Sequence, residues 1–376
     1  MSGLTKKTLM PKVTETTLEI NLASLKHNFE YLKSKLKEDT LFLAVVKAFA
    51  YGSEANAIAH CLQKMKVDYF AVAYIREGIA LRKAGITTPI LVLHPQEKNL
   101  NLAIEHCLEP SLYNLKILQE FQRIAMLHQQ KNYPVHIKFN TGLNRLGFEP
   151  QELDLVVDQL SRTSVLKVRS VFSHLAASED LEEKAFTLAQ VELYKSLSSS
   201  FAEKINYPFI KHLCNTSGVI NYPEAHFNMV RCGIGLYGYG NTNTEAQNFK
   251  PVATLKSVIS QIHFVSKGKS VGYNRGFISP HDTKIATIPI GHADGIGRHF
   301  GHGAGVVSIE NKKAVIVGNV CMDMVMVDVT DIECVEGDEV VFFGCEFSAE
   351  ASAAAANTIS YELITAISQR VKRVIV

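Results

Sequence analysis

Lys47 interrupts the longest apolar run of the chain, Leu41–Ala50. An ammonium at the end of such a run is costly to bury unless it is paired or neutral. A lysine just past a strand can simply reach the surface. A lysine with a lowered pKa is instead a nucleophile toward carbonyl groups, able to form a Schiff base. Other chemistry-bearing side chains also stand at the ends of apolar runs. Lys138 and Asn140 close one run, with Gly142 to Arg145 following, and Ser173-His174 close another. His212 leads into Asn215-Thr216-Ser217-Gly218, and Arg231 into Gly233-Ile234-Gly235. These last two loops are rich in small residues, whose backbone N–H groups and hydroxyls can cradle a phosphate. A carbonyl-trapping lysine near a phosphate cup points to pyridoxal 5'-phosphate.

Such groups need elements to hold them. From residue 40 to 232 the chain alternates short apolar runs with amphipathic stretches. The runs are Leu41–Val46, Tyr69–Val72, Ile90–Leu93, Leu108–Leu112, Val135–Phe139, Val168–Phe172, Phe209–Leu213 and Phe227–Arg231. Helical spacing separates most of them, as in Glu54–Met65, Arg76–Ala84, Leu115–His128, Leu153–Leu160 and Leu181–Phe201, and Leu22–Leu36 precedes the first. Continuous apolar runs suit strands buried on both faces. Eight of them with intervening helices predict an α/β fold, a closed (β/α)8 TIM-type barrel; the fourth run fits a strand least well. In such a barrel functional groups project from the C-terminal ends of the strands, where the residues above fall.

Beyond about Gln247 the periodicity becomes β-like, with runs at Ala253–Phe264, Lys284–Pro289, Gly305–Ile309, Lys313–Val317, Met324–Asp328 and Glu339–Phe343. Helices are expected at Ala351–Ala356 and Tyr361–Val371, and the polar stretch Gly240–Asn248 marks the boundary. The resulting division is an N-terminal segment 1–15 that can join the β domain, a barrel at 16–245, and a mainly β C-terminal domain at 246–376.

Composition narrows the field. The chain has 376 residues, 47% apolar and 20% charged, and 39 basic side chains against 37 acidic ones. That balance gives no electrostatic reason to expect nucleic acid or an anionic membrane. No run approaches the ~18 apolar residues of a spanning helix. Met1–Asn21 has no apolar core of the secretory type, so a cytoplasmic location is expected. The seven cysteines are odd in number and lack CxxC spacing, which reads as small buried hydrophobes in a reducing compartment. His292, His299 and His302 with Asp294 lack HxH or HExxH pairing, so no metal is expected.

The strings AVVKAFAYG (44–52), KFNTGLNRLGF (138–148), FSHLAASE (172–179), HLCNTSG (212–218) and NMVRCGIGLYG (228–238) resemble successive motifs of the alanine racemase family. So do VGYN (271–274), IPIGHADG (288–295), VGNVCMDM (317–324) and ISYELITAISQRVKR (359–373), in the family's order and across nearly the whole chain. The resemblance implies that Lys47 carries pyridoxal phosphate, with Tyr51, Thr216, Gly233, Ile234 and Tyr361 at its phosphate and Asn215 beside them. It places Arg231 at the pyridine nitrogen, where an always-protonated group weakens the ring as an electron sink. His174 packs by the ring, with His212 close by. Arg145 and Met322 meet the substrate carboxylate, and Lys138 supports Arg145. Tyr273 is the second catalytic base beside Lys47. In the family Tyr273 and Met322 reach the site from the other subunit, so a homodimer with shared sites is implied.

Four departures from the family's pattern stand out, one of them a pair of residues. Phe49 stands where Asp or Asn is usual, Ser53-Glu54 replace His-Gly, Asn140 replaces an aspartate, and His292 replaces a tyrosine of the entrance corridor. The Asn140 change leaves open whether Lys138 is carbamylated, as in many members. The implied activity is interconversion of L- and D-alanine for peptidoglycan precursors. A serine or broad-specificity racemase is the nearest alternative. A non-catalytic pyridoxal-phosphate-binding protein would resemble the barrel alone, without the motifs carrying Tyr273 and Met322.

Overall fold

The computed structural model describes residues 14–345 and 347–376, so residues 1–13 of the expected N-terminal segment lie outside the described residues. The described residues divide into two compact units, Leu22–Val252 and a second made of 14–21 with the described part of Ala253–Val376.

In the first unit eight parallel strands close into a barrel: Leu41–Val45, Tyr69–Val72, Ile90–Val92, Glu109–Leu112, Tyr133–Lys138, Leu166–Phe172, Ile210–His212 and Met229–Cys232. The eighth pairs back with the first, Leu41 opposite Met229. All eight expected strands are present. The fourth, EPSL, pairs with the third through only Leu91–Glu109 and Val92–Pro110. A proline that cannot donate to the ladder explains its weak strand signal. Helices fill the outside, and their caps are local. Asn114 accepts from Ile117 N at 2.9 Å and starts Leu115–Leu127, which buries Ile117, Leu118, Phe121 and Ala125 on one face. The helices Leu100–Glu105 and Thr216–Asn221 have six residues each, too few to show a period in the sequence.

The stretch expected as a domain boundary, Gly240–Asn248, is tied to the barrel unit. Buried Glu245 accepts from Ser217 Oγ (3.0 Å), Asn221 Nδ2 (3.0 Å) and Asn241 N (2.9 Å). Fully buried Asn28 donates to Leu236 O and Lys250 O and accepts from Lys250 N. The unit therefore ends only at Val252.

The second unit is built on a nine-stranded sheet. Its order is Gln261–Val265, Thr283–Ile288, Val325–Asp328, Lys312–Val317, Val306–Ile309, Glu339–Phe343, Ala253–Val258, Thr17–Ile20 and Lys372–Ile375. Three expectations need correction. Thr17–Ile20, assigned above to the barrel, pairs here with Lys256–Ala253 and with Lys372–Ile375. The single run 253–264 is two strands at different places in the sheet. The last helix is only Ser360–Ala366, and the chain ends as a strand. Of the seven cysteines only Cys214, Cys232 and Cys334 are buried; Cys107 and Cys345 are exposed.

Asn28→Ala would remove the side-chain partner of the buried Leu236 carbonyl and of the part-buried carbonyl and amide of Lys250. We expect a loss of about 1–3 kcal/mol in the unfolding free energy of the barrel, measured by urea titration.

Candidate active site

Lys47 follows the first barrel strand and opens a turn of unusual hand. Ala48, Phe49, Ala50 and Tyr51 have φ of 52°, 55°, 54° and 54°. Non-glycine residues there each cost about 1–2 kcal/mol relative to the right-handed region. The turn is held by Glu77, whose carboxylate accepts from Ala48 N (2.6 Å), Ala73 N (2.7 Å) and Tyr74 N (2.9 Å). Two of these amides lie at the start of Glu77's own helix Ile75–Lys83, where a glutamate at the third position is a local capping signal; sequence reasoning missed the reach to Ala48 N, which nothing local marks. Phe49 is exposed on this turn, Ser53 is buried, and Glu54 caps the next helix.

The turn delivers Tyr51 to the phosphate cup expected at the last two loops. The Tyr51 ring stacks on Tyr237 at 4.5 Å, and Tyr237 donates to Val45 O. A Cβ at Gly233 would lie 2.3 Å from the Tyr51 hydroxyl, so only glycine allows this approach. Thr216 Oγ1 accepts from the amides of Gly233 (3.2 Å) and Gly235 (3.3 Å). Asn215 caps the Thr216–Asn221 helix through Gly218 N and is itself fixed by Ser178. Tyr51, Asn215, Thr216, Gly233 and Ile234 are thus brought to one end of the barrel.

Beside them lies Arg231, almost fully buried. Its Nη1 donates to His212 Nδ1 (2.9 Å); its Nη2 donates to His174 Nδ1 (3.0 Å), Ser173 O (2.7 Å) and Leu213 O (2.9 Å). Arginine has no acceptor, so both Nδ1 atoms accept and each imidazole carries its hydrogen on Nε2. Burial, then the Arg231 charge, lowers the pKa of both histidines well below the ordinary value. Burial also brings Arg231 down to about 10. Phe172 offers a common apolar surface: His212 stacks on it at 4.8 Å, with Arg231 and Lys138 at 5.4 and 5.8 Å from its centre. Burial, then Arg145, Arg231 and Lys47, brings Lys138 to about 8. Lys47 is lowered by burial and Arg145, against an upward pull from Glu77.

Arg145 is exposed on the loop after the fifth strand. Asn140 organises that loop, donating to Asn144 Oδ1 (2.8 Å) and Glu149 Oε1 (2.9 Å) and accepting from Gly142 N and Asn144 N. An aspartate could make neither donation, which accounts for the amide at this position. At Gly147 a Cβ would come within 2.6 Å of the Phe139 and Asn140 backbone, and φ is +133°.

The remaining expected residues belong to the other unit. Tyr273 is 74% exposed in a turn whose carbonyl accepts from Asn319 Nδ2 (3.0 Å). Met322 is 59% exposed, and its carbonyl accepts from Ala293 N; His292 N donates to Cys321 O. Gly291 makes this pairing possible, since a Cβ there would lie 2.4 Å from both carbonyls. His292 is exposed, and Tyr361 lies in the Ser360–Ala366 helix. Among the described residues no group of three His, Cys, Asp or Glu could hold a metal. His302 meets Asn319, and Asp294 meets Gly291 N and Arg370.

A phosphorylated aldehyde suits the donors present. Four cationic side chains crowd the barrel end, two of them lysines with lowered pKa, and hydroxyls and amides meet at a glycine cradle. The family models for the alanine racemase N-terminal and C-terminal domains match residues 20–241 and 252–375. The chain belongs to the alanine racemase family. Alanine racemase 2 of Caldanaerobacter subterraneus is 33% identical over 375 residues, covering 97% of this chain and 96% of that protein. Alanine racemase of Clostridium tetani is 34% identical, covering 95% and 94%. The solved alanine racemase of Clostridium difficile 630 superimposes with a TM-score of 0.91 at 34% identity, covering 97% and 96%. Alanine racemases are pyridoxal-phosphate-dependent isomerases. Among the described residues no helix is long and apolar enough to cross a membrane.

Lys138 yields a pH test. Its folded pKa of about 8 lies below the ordinary 10.5, so the unfolded chain binds more protons between these values. The destabilisation is complete below about pH 8 and disappears as pH rises toward 10.5. Lys138→Met should therefore be more stable than wild type at pH 7, with the gap closing across that window in paired urea titrations.

Proposed function

We infer that the chain is a pyridoxal-phosphate-dependent racemase that interconverts L- and D-alanine by two bases, Lys47 and Tyr273. The observation that carries the reading is Lys47, partly buried and lowered in pKa, at the mouth of a barrel that also gathers Tyr51, Thr216, Gly233 and Arg231. Pyridoxal phosphate, when bound, supplies the electron withdrawal that makes the α-proton of an amino acid removable.

The chain's own residues then have distinct tasks. Tyr51, Thr216, Gly233, Ile234 and Tyr361 would hold the phosphate, with Asn215 beside them. Arg231 would donate to the ring nitrogen and so limit the electron withdrawal. His174 would pack by the ring, and His212 keeps Arg231 in place. Arg145 and the amide of Met322 would bind the substrate carboxylate, Lys138 would support Arg145, and His292 would stand at the entrance.

Racemisation needs a proton acceptor on each face of the flattened substrate carbon. Lys47 serves the D side and Tyr273 the L side. Tyrosine is a weak base at its usual pKa of about 10, so it needs help. His174, with its N–H on Nε2, and Arg231 behind it provide polarisable partners. Tyr273 and Met322 would come from the partner subunit of a homodimer, in keeping with their exposure within one chain. We place the enzyme in the cytoplasm, supplying D-alanine for peptidoglycan.

Borohydride treatment of the yellow holoenzyme should fix the cofactor to the Lys47 peptide, and label on another lysine would sink the assignment. In Tyr273→Phe, racemisation should fall in both directions. Exchange of the α-proton of D-alanine with deuterated solvent should survive far better than exchange from L-alanine, as followed by NMR. Equal loss of both exchanges with the cofactor retained would count against two bases. Mixing inactive Lys47→Ala and Tyr273→Phe chains should restore activity in hybrid dimers; no recovery despite subunit exchange would refute shared sites.

A further inference from the structure

Behind Arg231 the barrel interior holds a chain of polar groups that the proposed reaction does not use. It takes one side chain from each of the last five strands. Arg231 Nη1 meets His212 Nδ1, and His212 Nε2 lies 2.7 Å from Ser170 Oγ. Ser170 Oγ lies 2.6 Å from His136 Nδ1, and His136 Nε2 lies 2.8 Å from Glu109 Oε2. Glu109 also accepts from Tyr69 Oη (3.2 Å), which accepts from Arg169 Nε (2.9 Å). His136, Ser170 and His212 are completely buried, whereas the Glu109 side chain is 13% exposed. Glu109, Tyr69 and Arg169 line a cavity of about 770 Å³.

The hydrogens of this chain can be counted. Arg231 must donate, so His212 must carry its hydrogen on Nε2 and give it to Ser170. Ser170 has one hydrogen, and it goes to His136 Nδ1. His136 then carries its own on Nε2 and gives it to Glu109. Every bond points toward the carboxylate. Reversing one link reverses the next, and a fully reversed chain would set an N–H of His212 against the N–H of Arg231.

We propose that Glu109 and His136 are positioning residues, fixing the direction of a hydrogen-bond chain that holds His212 as the acceptor of Arg231. Its importance for catalysis rests on the function proposed above. The chain conveys orientation and not protons, because its first member does not readily release one. Charge stands at its two ends, a guanidinium inside and a carboxylate near water, and the middle is neutral. Without the terminal acceptor, the His136 hydrogen gains nothing on Nε2, and the preference that reaches Arg231 weakens.

The test is the tautomer of each imidazole in the holoenzyme, read from long-range ¹H–¹⁵N correlations, alongside alanine racemisation. In wild type both His136 and His212 should be neutral with the hydrogen on Nε2. A hydrogen on Nδ1 of His136, or a doubly protonated His136, would overturn the proposal without any mutation. Glu109→Leu should shift part of the His136 hydrogen population to Nδ1 and lower kcat by on the order of tenfold, with a smaller change in KM. Glu109→Gln, which keeps an acceptor oxygen, should recover most of the loss and restore the tautomer. Ser170→Ala, which removes a single oxygen, should lower kcat comparably while leaving His136 on Nε2. An unchanged His136 tautomer in Glu109→Leu, or an unchanged kcat in both Glu109→Leu and Ser170→Ala, would refute it. A wild type unable to racemise alanine would overturn the assigned function, while the tautomers would still decide the direction of the chain.

Discussion

A guanidinium nearly sealed from water must find an acceptor for its hydrogens, and the end of the barrel is arranged around doing so for Arg231. Two backbone carbonyls take hydrogens from Nη2, and the other two acceptors are imidazole nitrogens. Those nitrogens are available only while the histidines are neutral and hold their hydrogens on Nε2. One buried charge therefore sets the protonation and tautomer of two side chains, and through His212 the direction of the hydrogen bonds behind it. The fold supplies the geometry for this: Ser173-His174, His212 and Arg231 come from the last three strands, side by side in the closed sheet.

A second constraint is the left-handed turn after Lys47. Four successive residues in that region are unfavourable by several kcal/mol in sum, on the order of 1–2 each. Glu77 offsets this by taking three backbone hydrogens, including that of Ala48. The consequence is positional. A right-handed helix from Lys47 would carry Tyr51 elsewhere; the reversed turn sends its ring onto Tyr237 and its hydroxyl to Gly233. The strain is thus stored where the lysine and the phosphate cup must meet, and the residue that sustains it is not itself at the cup.

What could be read from the sequence follows from the range of each interaction. The barrel strands are continuous apolar runs because they are covered on both faces, and that burial is written locally in Phe42, Leu43 and Ala44 as in Phe70, Ala71 and Val72. Lys47, His174, His212 and Arg231 stood out because polar groups are rare at such positions. Thr17–Ile20 and Lys372–Ile375 were hidden because each is four residues long and they pair with one another from opposite ends of the chain. Asn28, Asn319 and the bond from Ala48 N to Glu77 were equally hidden: these partners lie in other elements, and no spacing records them. The Gly240–Asn248 stretch misled for the opposite reason. Its polar residues look like a linker, yet they serve buried Glu245, whose partners are fixed only by the fold.

The distribution of charge at the barrel mouth bears on its chemistry. Beyond burial, Arg145 helps to lower the pKa of Lys47, and Arg145, Arg231 and Lys47 that of Lys138, while the carboxylate that pulls Lys47 upward is Glu77. Glu77 is already committed to three amides, which spread its charge over the backbone. A free carboxylate here would pair with the lysines, raise their pKa and occupy the place of an anionic ligand. Leaving the cations unpaired does the reverse. The site disfavours its own protonated lysines until phosphate or a substrate carboxylate arrives, and a lysine so disfavoured can take and return a proton nearer neutrality than lysine ordinarily does. Neutral histidines complete this logic, since an imidazolium beside Arg231 would add repulsion without adding a base. Affinity for an anion and a usable lysine base thus have one physical origin, the gathering of like charges at the barrel mouth.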